Sequence, residues 1–163
     1  MSPSLRARMM NGWLRLTEKA HLARTSDVAK LRRSFELKAK LNFHAPWGTR
    51  MERVELAGLS ALKVTPKAAP NARVILYFHG GAYVMGSAKV YQAMLATLCK
   101  TADTCAVLVD YRRAPESVFP APIEDALSAY QALLETTAPQ DIILGGDSAG
   151  GGIVLALLGE ICR

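Results

Sequence analysis

The spacing of apolar and polar residues divides the chain into two parts. Across residues 1–45, apolar residues recur at three- and four-residue steps, and this spacing predicts two amphipathic helices. One side of the first helix would carry Leu5, Met9, Trp13, Leu16 and Ala20. One side of the second would carry Val28, Leu31, Phe35 and Ala39. The N-cap candidates for the second helix are Thr25, Ser26 and Asp27.

A different pattern begins after the break at Ala45-Pro46-Trp47-Gly48. Apolar residues alternate with polar ones on both sides of Gly58, which predicts an antiparallel hairpin, and Pro66 and Pro70 then bound a surface loop. Beyond it, short apolar runs alternate with helix-like segments. The predicted order is a strand at 74–78, a helix at 87–100, a strand at 105–110, a helix at 123–135, a strand at 142–144 and a helix at 148–161.

This order predicts the fold class. Alternating strands and helices form βαβ units, so we expect an α/β fold with a mostly parallel sheet flanked by helices. The chain of 163 residues is half hydrophobic and about a fifth charged, a composition typical of one globular domain. We therefore predict an N-terminal helical segment over residues 1–45 and an α/β core over residues 46–163.

The net charge of +6 is unevenly distributed. Residues 1–50 hold 11 Lys and Arg against 3 Asp and Glu. Such a basic arm could attract nucleic acid or an acidic membrane surface, but its charges are interleaved with apolar residues at helical spacing, which favours a solvated helix face and no nucleic-acid partner. No apolar run approaches the roughly 18 residues of a membrane span, and no secretory signal is evident, so we expect a cytoplasmic protein without stable membrane insertion.

Three cysteines, Cys99, Cys105 and Cys162, lack metal-ligand spacing. We expect buried free thiols and neither a metal nor a cofactor.

The stretch from Asp141 to Gly152 carries the candidate chemistry. Gly146, Ser148 and Gly150 fit G-x-S-x-G between a predicted strand and a predicted helix. In this motif the serine occupies a sharp turn that presents its hydroxyl above the sheet edge, and a side chain two residues away on either side would crowd the turn. A glycine-rich turn also binds phosphate in nucleotide-binding folds, but a Walker loop needs Gly-Lys-Ser/Thr, which is absent.

A second motif follows the strand at 74–78. The sequence His79-Gly80-Gly81-Ala82-Tyr83 matches the HGGG-type oxyanion loop. Together with Tyr111-Arg112-Arg113-Ala114-Pro115-Glu116 and Gly146-Asp147-Ser148-Ala149-Gly150-Gly151, it resembles the hormone-sensitive-lipase-like esterases of the α/β-hydrolase fold. The resemblance runs from about residue 45 to the last residue. It implies that the N-terminal helices form a cap that shapes an acyl pocket.

The resemblance also implies roles for individual residues. Ser148 would be the nucleophile, and the backbone N–H groups of Gly80, Gly81 and Ala149 would form the oxyanion hole. Ala82 replaces the third glycine of the HGGG form, which leaves the first two as donors. His79 would hold the oxyanion loop in shape rather than act as the base, and Asp147 would steady the serine turn.

α/β-Hydrolases place an Asp or Glu and then a His after the nucleophile. The 15 residues after Ser148 contain neither aspartate nor histidine. We therefore expect a truncated chain that lacks the C-terminal strands, the triad acid and the histidine. Its last strand would be an apolar edge prone to pairing, and a homo-oligomer is left open.

The expected function is serine carboxylesterase activity on short- to medium-chain acyl esters, with a small-molecule ester as the partner. Two alternatives remain. An amidase or peptidase would use the same turn, and a catalytically inactive binding protein would use the same fold without chemistry.

Overall fold

The computed structural model describes residues 4–24, 27–67 and 72–163. Within these ranges, five α-helices and five strands follow the predicted order, with two helices and a hairpin first and alternating strands and helices after them. The helices are α1 Leu5–Arg24, α2 Val28–Asn42, α3 Ala88–Ala102, α4 Ala121–Leu134 and α5 Ala149–Ile161. The strands are β1 Thr49–Leu56, β2 Leu59–Pro66, β3 Val74–Phe78, β4 Cys105–Val109 and β5 Ile142–Gly146. Two of the three predicted N-cap candidates, Thr25 and Ser26, lie outside the described residues, as does Pro70 of the predicted loop.

The second helix begins at a capped N-terminus, as its sequence predicts. The Asp27 carboxylate accepts hydrogen bonds from the N–H groups of Ala29 (2.9 Å) and Lys30 (3.1 Å). These groups have no partner within the helix, so the side chain satisfies two otherwise orphaned donors. Asp27 is therefore the cap among the three candidates, and α2 then packs against α3.

The five strands form one mixed sheet in the order β1-β2-β4-β3-β5. β3 lies between β4 and β5 and is parallel to both, whereas β2 is antiparallel to β1 and to β4. The β1–β2 turn has positive φ at Ala57 (54°) and Gly58 (75°), the combination that suits a two-residue hairpin. The predicted hairpin and the parallel strands are thus both present.

Hydrophobic residues cover both faces of the sheet. Alternate residues of β3 point to opposite faces: Leu76 and Phe78 pack with α4 and α5, while Ile75 and Tyr77 pack towards α3. The three-layer arrangement explains why all five residues of β3 are buried. It also fixes the carboxyl ends of β3 and β5 side by side, with Phe78 paired to Gly146.

The described strands place β5 at one edge of the sheet, as the sequence predicts. Ile143 on this strand and Leu155 on α5 are exposed. Cys99 is a buried free thiol and Cys105 is half-buried, but Cys162 is exposed. The prediction of buried thiols is therefore wrong for Cys162, because α5 ends just before it at the surface.

None of the helices in the described ranges combines the length and apolarity needed to cross a membrane.

Candidate active site

Ser148 occupies a strained turn between β5 and α5. Its backbone angles are φ 50° and ψ −116°, outside the regions that residues with a side chain ordinarily adopt. A serine held there needs surroundings that over-determine the conformation, and such outliers cluster at functional sites. The residue is exposed, so the turn presents the side chain to solvent rather than to the core.

The two flanking glycines leave no room for a side chain. A Cβ at position 146 would lie 2.5 Å from both the carbonyl carbon and the oxygen of Gly150. A Cβ at position 150 would overlap the Phe78 carbonyl oxygen and lie 2.6 Å from its carbon. The steric reason that the sequence gives for G-x-S-x-G is confirmed, because α5 starts against the backbone of β3.

The turn is tied to the first residues of the helix by its own backbone. The Gly150 N–H donates to the Asp147 carbonyl (2.8 Å), and the Gly152 N–H donates to the Ser148 carbonyl (3.1 Å). The Ala149 N–H donates no hydrogen bond within the described residues. As the first residue of α5, it is one of the free donors at the positive end of the helix dipole.

The loop after β3 lies beside this turn because β3 and β5 are neighbours in the sheet. It coils through three consecutive residues with positive φ, Gly81 (127°), Ala82 (54°) and Tyr83 (60°). The Gly81 carbonyl accepts hydrogen bonds from the N–H groups of Val84 (3.0 Å) and Met85 (2.8 Å). The N–H groups of Gly81 and Ala82 donate to no acceptor in the described part of the chain.

Asp147 joins the two motifs. Its Oδ1 accepts the Gly80 N–H (3.0 Å) and the Tyr77 hydroxyl (3.1 Å), and its Oδ2 accepts the Tyr91 hydroxyl (2.9 Å). Both carboxylate oxygens are thus engaged by groups from β3, α3 and the loop after β3. The Asp147 side chain therefore braces a loop that lies 67 residues earlier in the sequence, while its backbone belongs to the serine turn.

The Gly80 N–H, which the sequence predicts as an oxyanion donor, already has partners among the described residues. It donates to Asp147 Oδ1 at 3.0 Å and lies 3.1 Å from the Tyr91 hydroxyl. The physical reason is that the carboxylate of Asp147 faces Gly80 in the folded chain. Spacing along the sequence does not reveal this contact. The next two N–H groups of the loop, those of Gly81 and Ala82, donate to no acceptor in the described ranges.

His79 is fully buried. Its Nδ1 lies 2.8 Å from the Gly80 carbonyl oxygen, so Nδ1 carries the proton that the carbonyl accepts. The ring stacks on Tyr111, with centroids 4.4 Å apart, and its Nε2 has no hydrogen-bond partner among the described residues. Burial lowers the pKa of His79, with the nearby charge of Arg113 acting in the same direction, which favours a neutral ring inside the loop.

This burial predicts a pH-dependent stability. The folded pKa of His79 is lowered from the ordinary value of 6.5, so the unfolded chain binds the proton first as the pH falls. We expect the free energy of unfolding to decrease below about pH 6.5, by up to about 1.4 kcal/mol per pH unit. Urea titrations between about pH 7 and 5, where carboxylates stay ionised, measure this slope.

The matched variants for this prediction are His79→Asn and His44→Asn, because His44 is exposed. His79→Asn should reduce the dependence of the free energy of unfolding on pH, and His44→Asn should leave it unchanged. A slope that is equal in both variants would assign the pH dependence to other groups.

A pocket of about 290 Å³ opens beside Gly80 and Gly81. Its walls are otherwise apolar or aromatic and come from α2, α3 and the loops that adjoin them. The other lining residues are Phe35, Phe43, Met85, Gly86, Val90, Tyr91 and Met94. Phe35 lies on α2 and Phe43 directly after it, so the N-terminal part of the chain contributes two aromatic side chains to this pocket.

Two groups of residues around the site receive no role in the sequence-based predictions. Arg32 anchors α2 by donating to the carbonyls of Val84 (2.7 Å) and Ala114 (2.8 Å) and by pairing with Glu116 (2.7 Å). Its guanidinium lowers the pKa of Glu116 to about 2. The other group consists of three tyrosines whose hydroxyls contact the loop after β3 or Asp147, namely Tyr77, Tyr91 and Tyr111. Periodicity predicts only their burial, and the partners of their hydroxyls depend on the fold.

Comparison with known proteins places this arrangement in a family. The sequence model of the α/β-hydrolase fold family matches residues 75–162, and the chain belongs to that family. Solved structures similar to this chain include esterases of the hormone-sensitive lipase family. An esterase from the bacterial hormone-sensitive lipase family superimposes with a TM-score of 0.87 and 34% identity over 99% of this chain and 54% of that one. A hormone-sensitive lipase from a metagenome library superimposes with a TM-score of 0.79 and 33% identity, over 84% of this chain and 46% of that one.

Curated relatives agree. An acetyl-hydrolase of Streptomyces hygroscopicus is 42% identical over 56% of this chain and 31% of its own length. An esterase of Acinetobacter venetianus is 35% identical over 64% of this chain and 34% of its own length. The chain therefore spans about a third of the length of these relatives and about half of the solved structures.

Proposed function

We propose that this chain is the nucleophile-bearing part of a serine carboxylesterase, with Ser148 as the nucleophile. The observation that carries the proposal is the strained, exposed position of Ser148 (φ 50°) beside a loop in which the N–H groups of Gly81 and Ala82 donate to no described acceptor. The esterase and lipase names of the relatives support the same reaction class. A buried structural serine would have no need of such a conformation.

In the proposed acylation, the Ser148 oxygen attacks the ester carbonyl carbon and its proton passes to a base. The carbonyl electron pair moves to the oxygen, which the N–H groups of Gly81, Ala82 and Ala149 stabilise. When the tetrahedral intermediate collapses, the bond to the alcohol oxygen breaks and the alcohol leaves with a proton. Water then attacks the acyl-serine by the same route and releases the carboxylic acid.

The general base of the reaction is the missing group. α/β-Hydrolases place an acidic residue and then the histidine base after the nucleophile. No histidine or aspartate follows Ser148, and the Ser148 hydroxyl makes no hydrogen bond within the described residues. His79 is buried, with Nδ1 held on the Gly80 carbonyl, and is unsuited to shuttle protons. We propose that the chain alone hydrolyses esters very slowly, since loss of the base in a serine hydrolase lowers kcat by roughly a millionfold.

The pocket beside Gly80 and Gly81 supports the substrate class. Its volume of about 290 Å³ lies at the small end of ligand pockets, and its apolar lining suits an acyl chain without charged groups. Phe35, Phe43 and Met94 lie on its walls and limit how much hydrocarbon it can hold. The proposed substrates are therefore esters of short- to medium-chain acids.

A chimera tests the proposal without requiring a base from this chain. Residues 1–163 would be joined to the part of the bacterial hormone-sensitive-lipase-family esterase that they do not cover. We expect the chimera to hydrolyse p-nitrophenyl acetate, butanoate and octanoate with kcat/KM at least roughly tenfold above that for the dodecanoate, because an apolar pocket discriminates by a few methylenes at about this level. The isolated chain should show almost no turnover.

The controls separate the alternatives. p-Nitroanilides of the same acids test for an amidase, and a fluorophosphonate probe tests for an activated serine. A folded chimera that the probe does not label and that hydrolyses no ester would refute the proposal. Faster cleavage of the anilides than of the esters would assign the site to an amidase.

A further inference from the structure

The peptide groups on either side of Gly80 are held by side chains from three different parts of the chain. In the first peptide, the His79 carbonyl accepts the Tyr111 hydroxyl (2.7 Å), and the Gly80 N–H donates to Asp147 Oδ1 (3.0 Å). In the second, the Gly80 carbonyl accepts the His79 Nδ1 proton (2.8 Å). Three of the four polar atoms are engaged, and the fourth, the Gly81 N–H, is free within the described residues.

The engaged atoms determine where the free one points. A trans peptide directs its C=O and N–H in opposite directions, so fixing the Gly80 carbonyl on the buried His79 turns the Gly81 N–H away from that ring. The first peptide is fixed at both ends, so the chain cannot pivot about it. The loop is thus held by contacts that precede any substrate, which is the preorganisation that an oxyanion donor needs.

Tyr77 contributes through the carboxylate. Asp147 Oδ1 accepts the Tyr77 hydroxyl (3.1 Å) and the Gly80 N–H, while Oδ2 accepts the Tyr91 hydroxyl (2.9 Å). A carboxylate held through both oxygens resists rotation about its side-chain bonds, so Tyr77 and Tyr91 keep Oδ1 in place for Gly80. Tyr91 also lines the pocket, whereas neither Tyr77 nor Tyr111 does.

From these contacts, we propose that Tyr77 and Tyr111 are positioning residues for the oxyanion loop: Tyr111 orients the peptide that joins His79 to Gly80, and Tyr77 orients the Asp147 carboxylate that holds the same peptide. The proposal rests on the function proposed above. Neither hydroxyl would touch the substrate, because both side chains are buried and lie outside the pocket walls. Their effect would reach the reaction through the direction of the Gly81 N–H.

The protonation of the Tyr77 and Tyr111 hydroxyls is consistent with this positioning role. Burial raises the pKa of Tyr111, and burial together with the Asp147 charge raises the pKa of Tyr77. Both groups therefore stay protonated and remain donors throughout the neutral range. Removing either hydroxyl leaves the ring in place, including the stacking of Tyr111 on His79, so a phenylalanine variant isolates the hydrogen bond.

The first measurement uses the 163-residue chain and the exchange of backbone amide protons, followed by NMR. We expect the Gly80 amide to be protected and the Gly81 amide to exchange freely. Tyr111→Phe and Tyr77→Phe should each speed exchange at Gly80 by roughly two- to tenfold, the range expected for one lost hydrogen bond. Exchange at Leu76 and Val107, in the neighbouring strands, should not change.

The matched control is Tyr130→Phe. Tyr130 is a half-buried tyrosine on α4 whose hydroxyl makes no hydrogen bond within the described ranges. Its variant should leave Gly80 exchange unchanged. If Tyr111→Phe speeds exchange at the core amides as much as at Gly80, Tyr111 is a structural residue only, and Tyr77→Phe then decides the remaining half of the proposal.

The second measurement uses the chimera and separates kcat from KM. We expect Tyr111→Phe and Tyr77→Phe to lower kcat by roughly tenfold or more with KM changed less than about twofold, because a misdirected donor weakens the transition state and not the pocket. Unchanged kcat in both variants would overturn the proposal. If the unsubstituted chimera has no serine-dependent activity, the proposed function fails, whereas the exchange data still decide whether these hydroxyls hold the loop.

Discussion

Replacing Ser148 with alanine in the chimera is expected to lower kcat for p-nitrophenyl butanoate by roughly a millionfold, to the level left by the oxyanion donors and binding alone. The reason is chemical: alanine has no oxygen to form the acyl intermediate, while the rest of the site stays in place. Initial rates at saturating ester, with active-site titration of the parent chimera, measure this loss. Fluorophosphonate labelling should disappear in the same variant.

The matched control is Ser128→Ala. Ser128 is an exposed serine on α4, so the same change in composition leaves the site intact. Its rate and labelling should equal those of the parent chimera. Activity that survives Ser148→Ala in the purified, folded chimera would show that another group performs the chemistry.

Adding a single methyl group at Gly150 is expected to destabilise the protein by roughly 2–4 kcal/mol. A Cβ there would overlap the Phe78 carbonyl oxygen and lie 2.9 Å from that of His79. Both obstacles are backbone atoms, one from β3 and one from the loop after it, so the helix must move away from the sheet to accept the methyl group. Urea denaturation of Gly150→Ala, followed by circular dichroism, measures the loss.

Gly159→Ala provides the comparison within the same helix. A Cβ at position 159 would meet nothing within 4 Å, and alanine is the better helix former. We expect this variant to be unchanged or more stable, by up to about 1 kcal/mol. If Gly150→Ala were as stable as Gly159→Ala, then α5 would not lie against β3 as described.

The secondary structure follows from local patterns in the sequence. The strand at Val74–Phe78 agrees in both bounds, and α5 begins one residue after the predicted start, at Ala149. These elements are predictable because period-two and helical spacing report which side of an element is buried. The tight turn at Ser148 is predictable for another reason, since the glycines two residues away on each side record a steric requirement.

The organisation of the loop after β3 is not predictable in this way. The Gly80 N–H meets a carboxylate 67 residues away, and the His79 carbonyl meets a hydroxyl 32 residues away. No periodicity encodes such pairs, because they arise only when β3, β4 and β5 are placed side by side. For this reason, the motif alone points to Gly80 as a donor, whereas in the described residues the Gly80 N–H is engaged and the N–H groups of Gly81 and Ala82 are not.

The most direct test of the account is a crystal structure of the chimera after reaction with a phosphonate ester. The account predicts a covalent bond from phosphorus to the Ser148 oxygen, and a phosphonyl oxygen about 2.7–3.1 Å from the N–H groups of Gly81 and Ala149. A phosphonate bonded to a different residue would contradict it. So would a phosphonyl oxygen turned away from both N–H groups.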